Sequence, residues 1–390
     1  MNRIINTILA AGLMLAGLLP VACNKADSPD ADPVVRYIRP VDPAMGDKLL
    51  TEVSMGSTIA VIGEGLAGVN YIAFNDQVSK LNPTLVTPTS IIVTVPSTMP
   101  EEITNKMYVR TSAGKSTEHD LAVIIPSPSV ESISCEYAPA GSEVTIYGNY
   151  FFPAEDGLVD VVFPGNYEAE VKSVTDTEIV CVVPDEAVNE GEIRVTSAYG
   201  TSRSLFTWRN SEGLVLDFEE TSWNTWNLST FASEGGCSGQ YMELVGTTGS
   251  WTWPDNKLQF LYPNPTQKPL LSGEGEVSDY SLCFEYCCES WDDVQMIIWF
   301  STNDTIHNVD SEDAQYHWKQ YREGIDKGVW KTIYIPLSEF KVDKEEKTDE
   351  RSIESFDDMI NLSMMFFGGA DVIGGDIDVK IDNIRLVKNR

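Results

Sequence analysis

The sequence predicts an all-β chain in which two copies of one small β-sandwich precede a larger, strand-rich domain of jelly-roll size. Three observations predict it. Short β-branched runs of alternating polarity, punctuated by Gly, Pro and Asn, recur along the chain, and none shows a sustained helical period. One set of these runs occurs twice, about 86 residues apart. Eight of the nine tryptophans fall after Gly213, so the last part of the chain is built differently from the rest.

The chain opens on Met1-Asn2-Arg3, which carries a positive charge, and residues 4–19 form a nearly unbroken apolar run. That run is too short to span a bilayer core of about 30 Å comfortably and has the layout of a secretory signal peptide. It closes on Leu19-Pro20-Val21-Ala22-Cys23, which resembles a bacterial lipobox, with Pro20 where the pattern usually has Leu. The resemblance implies cleavage after residue 22 and lipidation of Cys23; an ordinary signal peptide with a chance Cys is the plainer alternative. Residues 23–33 are polar, acidic and proline-bearing, so they form a flexible tether. Acidic residues soon after a lipidated Cys resemble the surface-export signal of glycan-harvesting Gram-negative bacteria, which implies an outer-membrane lipoprotein facing outward, held by its lipid anchor only.

The two copies follow. Residues 56–63 (GSTIAVIG) return as 141–148 (GSEVTIYG), 89–96 (TSIIVTVP) as 177–184 (TEIVCVVP), and 109–114 (VRTSAG) as 195–200 (VTSAYG). These segments resemble the IPT/TIG family of immunoglobulin-like domains over roughly residues 34–209, which implies tandem immunoglobulin-like sandwiches at 34–126 and 127–210. Cys181 aligns with Val93 and Cys135 with Pro40, so the sandwich requires no disulfide at either place, and Cys181 is expected in a core. Neither copy shows a site, and both are expected to act as spacers.

The terminal domain, 211–390, is bracketed by 214–219 (LVLDFE) and 378–387 (DVKIDNIRLV). Between them stand 281–286 (SLCFEY), 294–300 (VQMIIWF), 329–337 (VWKTIYIPL) and 362–367 (LSMMFF), all strand-like. The opening, the 329–337 run and the closing run resemble carbohydrate-binding jelly-roll modules, and in particular the C-terminal domain of surface glycan-binding lipoproteins encoded beside starch-utilisation-type transporters. A lipid anchor, tandem immunoglobulin-like spacers and one terminal glycan-binding domain come in this order in that family. The resemblance implies capture of a neutral polysaccharide, a β-glucan or hemicellulose, for degradation and uptake beside a transporter complex and surface glycoside hydrolases.

Charge narrows the partners independently. The formal net charge is −32, from 59 acidic against 27 basic residues, so nucleic acid and anionic polymers meet a like-signed field, whereas neutral ligands do not. Sugar rings offer weakly apolar C–H faces that indoles complement, with amides and carboxylates nearby to bond hydroxyls. In GSWTWPDN, residues 249–256, Trp251 and Trp253 share one strand face, among polar neighbours, and are expected to stack on glycan; a core face is the alternative. Tyr316, Trp318 and Tyr321, interleaved with His317, Lys319 and Gln320, suit a rim of the same site or a structural strand. Trp291 stands in an acidic turn and is expected outside. Trp299 either lines a concave face or packs under a second layer. Trp223 and Trp226 either cap the domain or join the site, and Trp330 belongs to a strand pattern and is expected to be structural.

Asp217, Glu219 and Asp382 lie on the first and last strands, where jelly-roll modules of this resemblance often hold a structural Ca²⁺; charges on solvated strand edges are the alternative. No other cofactor is expected. The six cysteines after Cys23 show neither disulfide-scaffold nor metal spacing. No nucleophile elbow, HExxH or P-loop is present, and histidines number three. A non-catalytic binder is therefore expected, against a jelly-roll endoglycanase, which would need two carboxylates across a cleft, or an adhesin whose aromatics meet another protein.

Overall fold

The β-branched runs become strands, and the turns between them fall at the Gly, Pro and Asn clusters. The structure, a computed structural model, describes residues 28, 30–153, 159–224, 228–250, 256–302, 313–320, 324–342, 351–367 and 374–389. Among these residues the helical segments are short 3₁₀ turns such as Pro43–Met45, and no helix is long and apolar enough to cross a membrane. The chain divides into two units, one ending at Pro126 and one beginning at Ser127.

The first unit is a β-sandwich. A three-stranded antiparallel sheet, in the order Val34–Pro40, Thr58–Glu64, Ser90–Thr94, faces a four-stranded one, in the order Gln77–Val78, Val69–Phe74, Lys106–Thr111, Ser116–Asp120. Alternate residues of these strands meet in one core, among them Ile59, Val61, Ile72, Phe74, Ile91, Val93, Met107 and Val109. Each such burial contributes about 1.5–3 kcal/mol.

The second unit begins with the other copy of the same sandwich. One sheet runs Ser129–Ile133, Glu143–Asn149, Glu178–Val182, Glu170–Val174, and the other Tyr167–Glu168, Asp160–Phe163, Arg194–Ser197, Gly200–Arg203. Cys181 is buried in its core, as the alignment with Val93 implies, and burial pushes its thiol up to about 12.

The repeated glycines have a shared physical cause. Gly63 and Gly148 donate to the carbonyls of Thr89 and Thr177 at 2.9 and 3.0 Å. A Cβ on Gly63 would lie 2.0 Å from the Val34 carbonyl oxygen, and one on Gly148 would lie 1.8 Å from that of Ser129. Each glycine lets a neighbouring strand approach at a β-bulge, between Val35 and Tyr37 in one copy and between Val130 and Ser132 in the other.

The rest of the second unit is a two-sheet jelly roll. The larger sheet runs Thr230–Ala232, Tyr241–Thr248, Gly375–Lys388, Tyr280–Trp291, Lys331–Pro336, with Leu214–Leu216 pairing against Gly375–Lys388. The smaller runs Gln259–Tyr262, Asn361–Phe367, Gln295–Ser301, Gln315–Trp318. Between them lies an apolar core that includes Met242, Leu258, Phe260, Phe284, Met296, Ile298, Met364, Phe366, Val379 and Ile381.

The larger sheet's other face packs on the second sandwich. Trp330 and Tyr241 join Tyr137 and Trp208 in one apolar cluster, and the Trp330 indole N–H donates to the Gly235 carbonyl at 2.8 Å, so Trp330 is structural as expected. Polar pairing runs through the same seam. Arg385, fully buried, donates to both carboxylate oxygens of Glu285 at 2.7 and 2.9 Å and stands 3.4 Å from Glu136 of the sandwich. Tyr334 donates to the Glu136 carboxylate at 2.5 Å, and the Arg385 guanidinium lies 4.8 Å over the Tyr137 ring. The backbone crosses too, with the Thr332 N–H donating to the Ser134 carbonyl at 3.0 Å. A buried charge is tolerated only when paired in this way.

Candidate functional site

The smaller sheet has a second face, directed away from the core between the sheets. Along Gln295–Ser301, side chains alternate: Met296, Ile298 and Phe300 point inward, while Ile297 and Trp299 form a separate apolar cluster with Met365, flanked by Leu261 and Phe367. Directly opposite residues in paired strands share a face. The register therefore lays out one row of Leu261, Ser363, Trp299 and Gln315, and beside it a row of Gln259, Met365, Ile297 and His317. Gln295 and Phe367 are paired one step further on.

The first row is rich in unused hydrogen-bonding capacity. Trp299 Nε1, Gln315 Nε2 and Ser363 Oγ are buried and have no partner among the described residues; they are three of the seven such side-chain atoms there, and they sit side by side. A buried polar group left without a partner costs about 1–3 kcal/mol, so three adjacent ones call for an explanation outside the sheet's own packing. Two of the three, the indole and amide N–H groups, are donors, and the Ser363 hydroxyl serves either way. The His317 ring stands 3.2 Å from Gln315 Oε1, which fixes the amide with its nitrogen still uncommitted. Apolar side chains and donors without a partner among the described residues thus share one strip, which is what a sugar ring with C–H faces and hydroxyl oxygens requires.

The structure redistributes the residues the sequence proposed. Trp299 is on the strip. Tyr316 and Trp318 do share a face, but it is the inward one: Trp318 is buried edge-on against Phe284, Tyr286 and Trp291, and Tyr316 packs on Phe340 at 5.8 Å between centroids. The residues between and beside them, Gln315 and His317, face outward instead. Trp291 is likewise a core residue, 3 % exposed, with its N–H on the Val294 carbonyl at 2.6 Å and its ring edge-on to Phe366. Its acidic neighbours Asp292 and Asp293 are exposed, and they misled because the strand Tyr280–Trp291 ends inside the core one residue earlier. Trp223 is half-buried and caps the core, edge-on to Phe260 and Tyr262, with its N–H on the Glu220 carbonyl. Trp226, Trp251, Trp253 and Tyr321 lie outside the described residues, as does Cys23.

The three carboxylates of the expected calcium site are each held by hydrogen bonds. Glu219 accepts the Gln240 N–H at 2.6 Å, Asp217 accepts the Glu219 N–H at 3.2 Å, and Asp382 is buried against Ser238 and the Asn383 N–H. Among the described residues no group of three His, Cys, Asp or Glu side chains is placed to hold a metal ion. All these bonds lie within the jelly roll: Asp217 holds its own turn, and Glu219 and Asp382 both accept from the 238–240 segment.

Sequence reasoning missed Gln259, Gln315, Ser363 and Met365, and it had His317 only as a donor beside the aromatic residues at the rim. Alternation places Gln295 beside Trp299 on one face of its own strand, but which strands lie on either side is decided by long-range pairing.

Residues 208–388 match the family model described as surface glycan-binding protein B xyloglucan binding domain, and residues 128–207 match the IPT/TIG domain model. An IPT/TIG domain-containing protein of Bacteroides ovatus is 33 % identical over 210 residues, which is 49 % of this chain; the match spans 42 % of that relative's length. The crystal structure of the surface glycan-binding protein PbSGBP-B from Prevotella bryantii superposes with a TM-score of 0.68 and 26 % identity, covering 92 % of this chain and 99 % of that one. An SGBP-B from a complex xyloglucan utilization locus in Bacteroides uniformis shares the fold, with a TM-score of 0.50 at 16 % identity over 92 % of this chain and all of that one.

Proposed function

We propose, from the match of residues 208–388 to the surface glycan-binding protein B xyloglucan binding domain model and of residues 128–207 to the IPT/TIG domain model, that this protein captures a neutral β-linked polysaccharide at the cell surface without cleaving it. The favoured ligand is a xyloglucan-type hemicellulose or a mixed-linkage glucan. The observation that carries this reading is the row of Ser363, Trp299 and Gln315, three neighbouring side chains whose buried polar atoms have no partner among the described residues, beside the apolar patch of Ile297 and Met365. A glycan laid along the strip covers the apolar patch with its ring faces and presents hydroxyl and ether oxygens to the indole and amide N–H groups. Such contacts give affinities of about µM to mM, or roughly −4 to −8 kcal/mol. The strip's polar residues are amides, an imidazole and a hydroxyl, chemistry suited to holding a sugar chain. The net charge of −32 disfavours pectin and other polyanions.

In this reading residues 1–22 direct export, Cys23 carries the lipid anchor, and the two sandwiches are spacers. The captured chain passes to surface glycoside hydrolases and a transporter complex. The test is an affinity-gel panel of xyloglucan, barley β-glucan, galactomannan, laminarin and pectin, with a reducing-end assay on the same samples. Retarded migration on xyloglucan or β-glucan, none on pectin, and no new reducing ends are expected. New reducing ends would instead make this an endoglycanase. Migration unaffected by every glycan would sink the reading.

A further inference from the structure

We infer that His317 is a positioning residue for glycan binding: its imidazole N–H selects which end of the Gln315 amide meets the ligand, and so makes that contact a donor. This rests on the reading of the outward strip as the glycan site. Gln315 is 4 % exposed, and its backbone is fixed by a reciprocal pair with Lys341, the N–H donating at 2.9 Å and the carbonyl accepting at 3.0 Å. Only the side-chain amide is left to choose an orientation. His317 follows two residues on, on the same face of the strand, with its Nε2 3.2 Å from Gln315 Oε1.

The two ends of a carboxamide have nearly the same size, so packing does not tell them apart; hydrogen bonding does. An amide oxygen accepts only, so this contact requires a proton on imidazole Nε2, in the neutral ring or in the imidazolium. A proton on Nδ1 alone would make Nε2 an acceptor and turn the amide round, oxygen outward. With the oxygen held, Gln315 Nε2 remains buried and without a partner among the described residues, and so does Nε1 of Trp299, the residue directly opposite. The indole is a fixed donor. The strip therefore sets two donors side by side, which suits oxygens that only accept, the ring and glycosidic oxygens of a sugar chain, and calls on any hydroxyl there to accept. The tautomer of the imidazole thus decides the polarity of the contact that Gln315 makes.

One test needs no glycan. Long-range proton–nitrogen NMR spectra of the full chain labelled at histidine, with the His317 signal identified by its loss in His317→Phe, should show the proton on Nε2. A neutral ring protonated on Nδ1 would overturn the inference. The other is calorimetry with xyloglucan and barley β-glucan on Gln315→Ala, His317→Phe and the double variant, each with a native melting temperature. Gln315→Ala should weaken binding about 3- to 10-fold, the worth of one hydrogen bond. His317→Phe should weaken it by no more than that, and the double variant should be no weaker than Gln315→Ala alone. Unchanged affinity in His317→Phe, or a full second loss in the double variant, would refute a role exerted through Gln315. Gln315→Glu, which turns a second oxygen toward the ligand, should bind more weakly than Gln315→Ala; native affinity there would mean that the amide oxygen faces the glycan, against the inference. If neither glycan binds the unsubstituted chain, the glycan reading fails, and the tautomer alone judges the hold of His317 on the amide.

Discussion

Trp299→Phe keeps an aromatic ring on the outward strip and removes the indole N–H, so it isolates the donor from the packing. One hydrogen bond to a ligand hydroxyl is worth about 0.5–1.5 kcal/mol, so glycan affinity should fall about 3- to 10-fold by calorimetry, with the fold retained. Trp318→Ala tests the opposite assignment. Its ring lies in the core against Phe284, Tyr286 and Trp291, so truncation should cost about 3–5 kcal/mol of stability in urea unfolding. Full stability with lost binding would return Trp318 to the site. Asp382 gives a pH signature. Burial pushes its carboxyl up to about 8, Glu285 adds to the rise, and the Asn383 N–H opposes it. The folded state thus keeps a proton that the unfolded chain releases near pH 4 (about 3.9 for a free Asp). Its stabilising contribution is full below that value and is lost as pH climbs through about 8. Asp382→Asn should flatten the fall in urea midpoint between pH 5 and about 8 without abolishing folding. Residue identity announced the aromatic chemistry of this domain. It did not announce which indoles face outward, because a side chain's direction depends on strand parity and on where a strand ends, as Trp291 shows.

Strands were the most legible level. The paired segments 56–63 and 141–148 become Thr58–Glu64 and Glu143–Asn149, each between two partners. Their glycines are readable as constraints only once the bulged neighbour is known. Gly148→Ala would drive a Cβ to 1.8 Å from the Ser129 carbonyl oxygen, and separating the two strands should cost about 1–3 kcal/mol. Gly63→Ala should behave alike in the first unit. Gly114→Ala is the control: its φ is +81° but nothing lies within 4 Å of the added atom, so only backbone strain of about 1–2 kcal/mol remains. Thermal melts of the three variants would rank them, and equal costs would refute the bulge argument. Strand order was not legible. Nothing local in Gln315–Trp318 says that it lies beside Gln295–Ser301 and not beside Lys331–Pro336, and that choice determines which glutamine meets Trp299.

At the scale of the molecule, the sequence places a composition change near Gly213, and there the structure has a packed seam with its own ion pairs. Arg385, Glu285 and Glu136 read along the chain as ordinary strand charges; only folding brings them together. Arg385→Met would leave both carboxylates buried without a cation, a loss of about 3–5 kcal/mol. Calorimetry should then show two transitions for residues 127–390, where the unsubstituted chain is expected to give one, as the sandwich and the jelly roll uncouple. One undivided peak at a native midpoint would mean the apolar contacts suffice. The strand Gly375–Lys388 has a wider consequence. It bonds to Leu214–Leu216, Tyr241–Thr248 and Tyr280–Trp291, segments made long before it. A nascent chain emerging N-terminus first can close its first sandwich early, but the larger sheet of the jelly roll stays open along its middle until residue 388 arrives. Through that interval two bare strand edges, each a template for pairing with another chain, must be kept apart, so the speed of synthesis and the reach of a chaperone bear on the yield of this domain more than on that of the two sandwiches before it.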